Sequence, residues 1–196
     1  MIPNVRVGAL SLLLAVCLTA ACGLPRPDTV VTRMIEPRLA ESSGVVADAP
    51  NAASVRLLDT QIRAHIGRRL LHQQPDGELT EDDVWRWTST PDRYLDSALR
   101  LAIASNPELR QVDASSASSL AVTVLAWQIE SGSSRRLIGA VEIKLTRPDR
   151  TVYSQIIRAE EALSADLPGD LSAAAGRLLG RLASDCLSHV ARQQGT

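Results

Sequence analysis

Three runs between Leu120 and Ala162 leave few folds open to this chain. Leu120 to Glu130 (LAVTVLAWQIE), Leu137 to Thr146 (LIGAVEIKLT) and Thr151 to Ala162 are rich in β-branched and aliphatic residues. They are separated only by the short loops Ser131 to Arg136 and Arg147 to Arg150. Parallel strands need a crossover of roughly a dozen residues or more, so runs this close together must form an antiparallel meander. In the second run Val141, Ile143 and Leu145 alternate with Glu142, Lys144 and Thr146, which gives the sheet one apolar and one wet face. Something must cover the apolar face. Asp170 to Gln193 supplies it, a long helix with Leu171, Ala175, Leu178, Leu182, Cys186 and Val190 on one stripe.

A second helix starts in DDVWRWTSTPDRYLDSALR, residues 82 to 100. Thr90 stands at the cap position, Pro91 at the first helical position and Asp92 in the first turn. Tyr94, Leu95, Ala98, Leu99, Ala102 and Ile103 make its apolar stripe, and Asn106-Pro107 ends it. Trp85 and Trp87 precede the cap in an extended lead-in, where residues two apart share a face. The whole chain has three Trp, two Tyr and no Phe, so placing two Trp here is a large share of its aromatic surface. Trp87 is expected to be core that locks the lead-in onto the helix. Trp85 is the candidate partner contact, and Trp127 sits in a strand as sheet-face core.

Upstream, Val55 to Arg63 and His65 to Gln73 read as strands, the second ended by the Gln74-Pro75-Asp76-Gly77 turn. Asp28 to Ile35 allows one more short strand. The expected class is α+β: an antiparallel sheet with two amphipathic helices packed on one face.

Residues 1–21 are an export signal rather than fold. Arg6 gives a positive start, Val7 to Val16 an apolar core, and Ala20-Ala21 a small-residue cleavage site before Cys22. The apolar stretch is shorter than the roughly 20 residues of a membrane span. Ala20-Ala21-Cys22-Gly23 resembles a lipobox, with Thr19 where Leu is usual, which makes Cys22 the candidate lipidation site. Plain signal cleavage after Ala21 is the competing reading. The expected organisation is a signal peptide at 1–21, a lipidated Cys and flexible tether at 22–50, and one domain at 51–194. Removing the leader takes away one of 21 Lys+Arg and none of 22 Asp+Glu, a balance that does not invite nucleic acid.

No chemistry-bearing constellation stands out. His65, His72 and His189 are isolated, and no phosphate loop, nucleophile elbow or HExxH helix occurs. Glu160-Glu161 and Asp82-Asp83 are adjacent carboxylates that diverge in a strand and read as solvated charge. Gly176 and Gly180 read as close packing of the last helix onto the sheet, and Cys186 as a buried small hydrophobe. The expectation is a protein that is not an enzyme and takes no cofactor or metal.

The order of these features carries a resemblance. A lipobox, a spacer and a strand pair are followed by Arg86-Trp87 and a Pro91-initiated helix with Tyr94-Leu95 and Ala98-Leu99. Leu120-x-Val122-x-Val124, the meander and the terminal helix complete the series. Over about residues 52 to 192 the chain resembles the ABC-type transport auxiliary lipoprotein component family, the paraquat-inducible protein C-like proteins. Trp87 matches that family's Trp before a Pro-initiated helix. Two departures stand: Asp28 to Ile35 lacks the family's aromatic opening strand, and Arg63-Ala64-His65-Ile66 replaces a Pro-x-Tyr-Leu-like segment.

The resemblance implies a non-catalytic lipoprotein subunit of a lipid transport system of the Gram-negative envelope. Its implied seat is the periplasmic face of the outer membrane, held by the lipid anchor. Its implied partners are a mammalian-cell-entry domain protein or an ABC transporter complex, with homo-oligomerisation compatible. Two other readings share the layout: an assembly factor or plug of an outer-membrane β-barrel, and a periplasmic carrier of an apolar ligand. The carrier would need a cavity of roughly 300 Å³ or more lined by Leu, Val and Trp.

Overall fold

One long strand organises the sheet. In the computed structural model, which describes residues 30–39, 52–132, 134–164 and 168–194, that strand is β7, Ser118–Glu130. The elements before it are β1 (Arg33–Ile35), β2 (Ala53–Leu57), β3 (Gln61–Ile62), β4 (Arg69–Gln73), β5 (Leu79–Trp87), α1 (Pro91–Ala104) and β6 (Leu109–Gln111). After it come β8 (Arg136–Thr146), β9 (Val152–Ala162) and α2 (Gly169–Gln194). Residues from Thr32 onward form one compact unit; of the other, Met1–Val31, only 30 and 31 are described.

One edge of β7 carries the expected antiparallel meander. β8 pairs along it from Ser119↔Thr146 to Glu130↔Arg136, and β9 pairs with β8 from Arg136↔Ala162 to Thr146↔Val152. The register slips by one residue between Val124 and Ala126. The consequence is a change of parity: Leu120, Val122 and Val124 are buried before the slip, and Trp127 and Ile129 after it. A bulge has turned the strand so that the indole joins the core.

The other edge of β7 is where the architecture departs from a purely antiparallel sheet. β2, β3 and β4 pair with it in succession, all parallel, at Val55↔Ser118, Gln61↔Thr123 and His72↔Ile129. They act as a single interrupted strand. Leu58–Thr60 interrupts the expected strand Val55–Arg63, and a turn through His65, with Ile66 N–H donating to Arg63 O at 2.9 Å, replaces the start of the expected strand His65–Gln73. Pairing becomes parallel because the chain covers the helix α1 between β5 and β7, a crossover long enough to reverse direction. β6 pairs with β2 in parallel, β5 with β4 antiparallel, and β1 with β5 in parallel. The sheet is therefore mixed, within the α+β class expected.

The core lies between one face of this sheet and the two helices. Leu171, Ala175, Leu178, Leu182, Cys186 and Val190, the stripe expected on α2, are all fully buried. Tyr94, Leu95, Ala98, Leu99 and Ile103 of α1 join the same core, with Ala102 at its margin. Thr90 occupies the cap position of α1, but its side chain makes no capping bond. Its carbonyl accepts from Arg93 N–H at 3.0 Å, and the Tyr94 hydroxyl accepts from Ser89 N–H at 2.7 Å. Fastening therefore comes from the tyrosine reaching back, not from the threonine.

The chain after β1 crosses α2. Arg38 N–H donates to Ser172 O at 3.1 Å, and the Ser172 hydroxyl donates to Glu36 O. A Cβ on Gly176 would collide with the backbone carbonyl of Arg38. The sequence expectation of close packing onto the sheet is therefore corrected: Gly176 packs against this crossing segment, and Gly180 faces open space. Residues 33–39 belong to the body, although they fall within the stretch read as tether.

Candidate functional site

Asp82 shapes the tryptophan segment. Between β4 and β5 the register runs Gln73↔Leu79, His72↔Thr80 and Leu71↔Glu81, and then jumps to Arg69↔Arg86. The surplus residues form a bulge. Inside it the Asp82 carboxylate accepts the backbone N–H of Val84 and of Trp85, each at 2.8 Å, and lies 3.2 Å from His72 Nε2. Burial works against the carboxylate's charge. The hydrogen bonds from Trp85 and Val84, and then His72, outweigh it, so the Asp82 pKa falls below the ordinary value. Asp82 is therefore a structural ligand of the backbone and not solvated charge; its neighbour Asp83 is exposed.

Downstream of the bulge the two tryptophans share a face. Trp87 is 1 % exposed and meets Trp127 edge to face, the ring centroids 5.9 Å apart. Its N–H donates to Arg68 O at 2.6 Å, and its carbonyl accepts from Arg68 Nε at 3.2 Å. Trp87 is core. Trp85 lies at the rim, partly buried against the same core. It is paired with Arg33 of β1, whose guanidinium lies 5.4 Å from the centre of its ring. A cation over an indole face is favourable, and it also makes the ring a half-covered site rather than a bare one. Met34, on the other face of the same three-residue edge strand, is 45 % exposed. The rim thus joins an aromatic and a guanidinium on one face of the sheet edge, with an exposed thioether on the opposite face.

The other residues singled out from sequence fall elsewhere. Cys22 lies outside the described residues. Cys186 is enclosed in the core, where burial pushes its thiol up to about 12 and keeps it protonated. His65 is exposed in its turn, His72 faces Asp82, and His189 is held below its ordinary pKa by burial and by Arg192. Among the described residues no group of three His, Cys, Asp or Glu side chains is placed to hold a metal ion.

Glu160 and Glu161 diverge as expected, but only Glu160 is on the wet face, against Arg136. Glu161 is 7 % exposed and faces α2, with Arg177 Nε at 2.9 Å and Arg181 Nη2 at 2.7 Å. It clamps the helix to the strand. The strand alternation Ile157, Ala159, Glu161 could have placed it on the core face, and Arg177 and Arg181, one helical turn apart, are its complement.

The sheet and α2 approach closely at Gly139. A Cβ there would lie 2.8 Å from Leu182 Cδ1 and 3.4 Å from the Trp127 ring, so the leucine tip would have to shift to admit a methyl group. Three concavities of about 290, 310 and 470 Å³ open to solvent, beside Thr60 and Asp92, beside Ile157 and His189, and beside Asn106 and Leu187. None of these three has the Leu, Val and Trp lining expected of an apolar carrier.

No protein-family model and no curated protein matches the chain by sequence. Solved structures share its fold. A Xanthomonas campestris protein of the family DUF330 superposes with a TM-score of 0.66 at 17 % identity, covering 84 % of this chain and 98 % of that one. A hypothetical protein from Chlamydia trachomatis gives a TM-score of 0.54 at 13 % identity, over 71 % of this chain and 96 % of that one. At such identities the likeness is one of fold.

Proposed function

We propose that this protein is a lipid-anchored, non-catalytic envelope lipoprotein that works by binding a partner within a lipid transport assembly. The observation that carries the reading is the sheet edge at β1, where Arg33 lies over the half-buried Trp85. At the rim of Trp85 and Arg33 an aromatic anchor is already in place, and aromatic and Arg side chains are the commonest interface hot spots. The export signal and Ala20-Ala21-Cys22 support attachment to a membrane through Cys22, with the body in the periplasm and the outer membrane as its seat. Two or three acyl chains hold durably where one holds only marginally. The order of elements supports a role beside a mammalian-cell-entry domain protein or an ABC transporter complex.

Two substitutions test the reading. Cys22→Ser is expected to move the protein from the membrane to the soluble periplasmic fraction; persistence on membranes after a high-salt wash removes the anchor from the account. Trp85→Ala is expected to leave the fold intact and weaken capture of the co-expressed mammalian-cell-entry domain protein by about 2 kcal/mol or more, measured by pull-down titration. Unchanged capture with an unchanged melt removes Trp85 from the interface.

A further inference from the structure

β9 is the far edge of the sheet, paired with β8 and with no other strand. Its free backbone groups follow from the register. Just beyond its two ends, Leu163 N–H donates to Arg135 O and Arg147 N–H donates to Thr151 O, each at 2.9 Å. Both bonds continue the β8–β9 ladder, so the odd-numbered residues of β9 bond to β8. In an antiparallel ladder the alternate residues turn both N–H and C=O away. These are Val152, Ser154, Ile156, Arg158 and Glu160. Glu160 bears this out, because its outward carbonyl accepts Arg181 Nη1 at 3.0 Å. From Val152 to Arg158 nothing among the described residues closes that side.

Long open edges are usually blunted by a bulge, a proline, a lysine or a covering element. Here the β8–β9 ladder runs without a register shift, and the strand VYSQIIRAEEA contains neither Pro nor Lys. Ile156, at its middle, is 64 % exposed. Helix α2 flanks the edge without covering it. Gln155 and Ile157 of the strand and Asp185, Ser188, His189 and Arg192 of the helix line an open groove of about 310 Å³. Arg158 stands on the bare face of the strand and Arg192 on the helix side. Among the described residues neither makes an ion pair with a carboxylate, and the groove lining holds a single acid, Asp185.

We infer that the open edge of β9 is the docking site for an extended segment of a partner protein. That segment adds as a strand along Ser154–Arg158, with acidic side chains on its two faces meeting Arg158 and Arg192. Main-chain bonds to the outward N–H and C=O groups supply the binding, and the two guanidiniums select for charge, as strand addition commonly works. His189 also lines the groove, where burial and Arg192 disfavour its charged form. The inference does not depend on acylation of Cys22 or on the rim at Trp85.

The test uses the mature chain and the synthetic peptide Thr-Val-Glu-Glu-Val-Thr, whose adjacent Glu residues face opposite sides of a strand. Binding is followed by fluorescence anisotropy and by amide hydrogen exchange. The expected result is at least tenfold slower exchange at Ser154, Ile156 and Arg158 on saturation. The same peptide N-methylated at alternate residues should lose this protection, and the version with Lys for Glu should bind at least tenfold more weakly. Arg158→Glu with Arg192→Glu should reverse the charge preference, and Ser154→Pro should abolish binding of both peptides. Equal binding of the acidic and basic peptides, or unchanged exchange at the three amides, overturns the inference. So does concentration-dependent protection without peptide, accompanied by dimers in sedimentation, since the edge would then belong to a second copy.

Discussion

The two halves of the sheet are built on opposite edges of β7 by different means. On one edge β8 and β9 run continuously, with α2 laid over them, and each residue's face follows from alternation. On the other, three short pieces share β7's length in parallel, with β6 paired to β2, β5 to β4, and β1 to β5. The first half is held by ladder and apolar layer, with Glu161 tying β9 to Arg177 and Arg181 of α2. The second depends on side chains that bond to backbone: Asp82 inside its bulge, Arg68 at Trp87, and Tyr94 at the start of α1. Regular pairing supports itself, whereas broken strands need local ties at every break.

This contrast can be broken from either side. The largest effect should come from Val141→Asp, which places a charge opposite Val124 in the dry layer of the continuous half. A loss on the order of 4 kcal/mol or more is expected, enough to unfold a marginal domain, and circular dichroism melts would read it. Its neighbour Glu142, exposed on the wet face, accepts a hydrogen bond from Ser154 Oγ, and Glu142→Ala should stay within about 0.5 kcal/mol of the parent. Equal shifts for the pair would mean that the two faces have been exchanged.

Trp87→Ala strikes where the halves meet, because this ring stacks against Trp127 across the core. A cost of about 3–5 kcal/mol is expected by chemical denaturation. A smaller effect should follow from Asp82→Ala, which strips two backbone N–H groups of their acceptor. About 1–2 kcal/mol is expected, with the slowed exchange of the Val84 and Trp85 amides lost. The same carboxylate makes the interrupted half sensitive to acid. Its folded pKa lies below the unfolded one, so on acidification the unfolded chain takes the proton first. Its contribution is complete above the ordinary aspartate range and disappears as pH falls through the lower folded value. Melts of Asp82→Asn should show a shallower loss of stability than the parent in that acid window and little difference in slope near neutrality.

The continuous half was legible because its alternation, turns and helix stripe repeat a period that sequence displays directly. Leu171, Ala175, Leu178, Leu182, Cys186 and Val190 could be placed on one buried stripe, and Val141 and Glu142 on opposite faces, before any coordinates. The interrupted half was not. Parallel pairing of β2, β3 and β4 with a strand some sixty residues later leaves no turn signal in the chain. Strand breaks at Leu58–Thr60 and at His65 depend on which stretch of β7 each piece meets, a long-range matter that local composition does not record. At the rim, the sequence placed Trp85 and Trp87 on a common face and made Trp87 core. It did not reveal that Arg33 would lie over Trp85, because β1 reaches β5 across fifty intervening residues. Asp82 was missed for a local reason: an aspartate that accepts N–H groups two and three residues ahead looks, in sequence, like any other exposed acid.

The docking of β1 bears on how far the body can stray from a bilayer. If the whole stretch from Cys22 to residue 50 hung free, about 28 residues would allow an excursion of about 100 Å. With Arg33–Ile35 bonded to β5 and Arg38 lying against Gly176, the body holds the chain from Arg33 onward, short of Cys22. About 11 residues remain, and their contour is about 40 Å at full stretch. Arg33 is both the first residue of β1 and the cation over the Trp85 ring. Were Cys22 acylated, that rim could stand no farther from the bilayer than this contour, a bound set by chain length rather than by any contact within the fold.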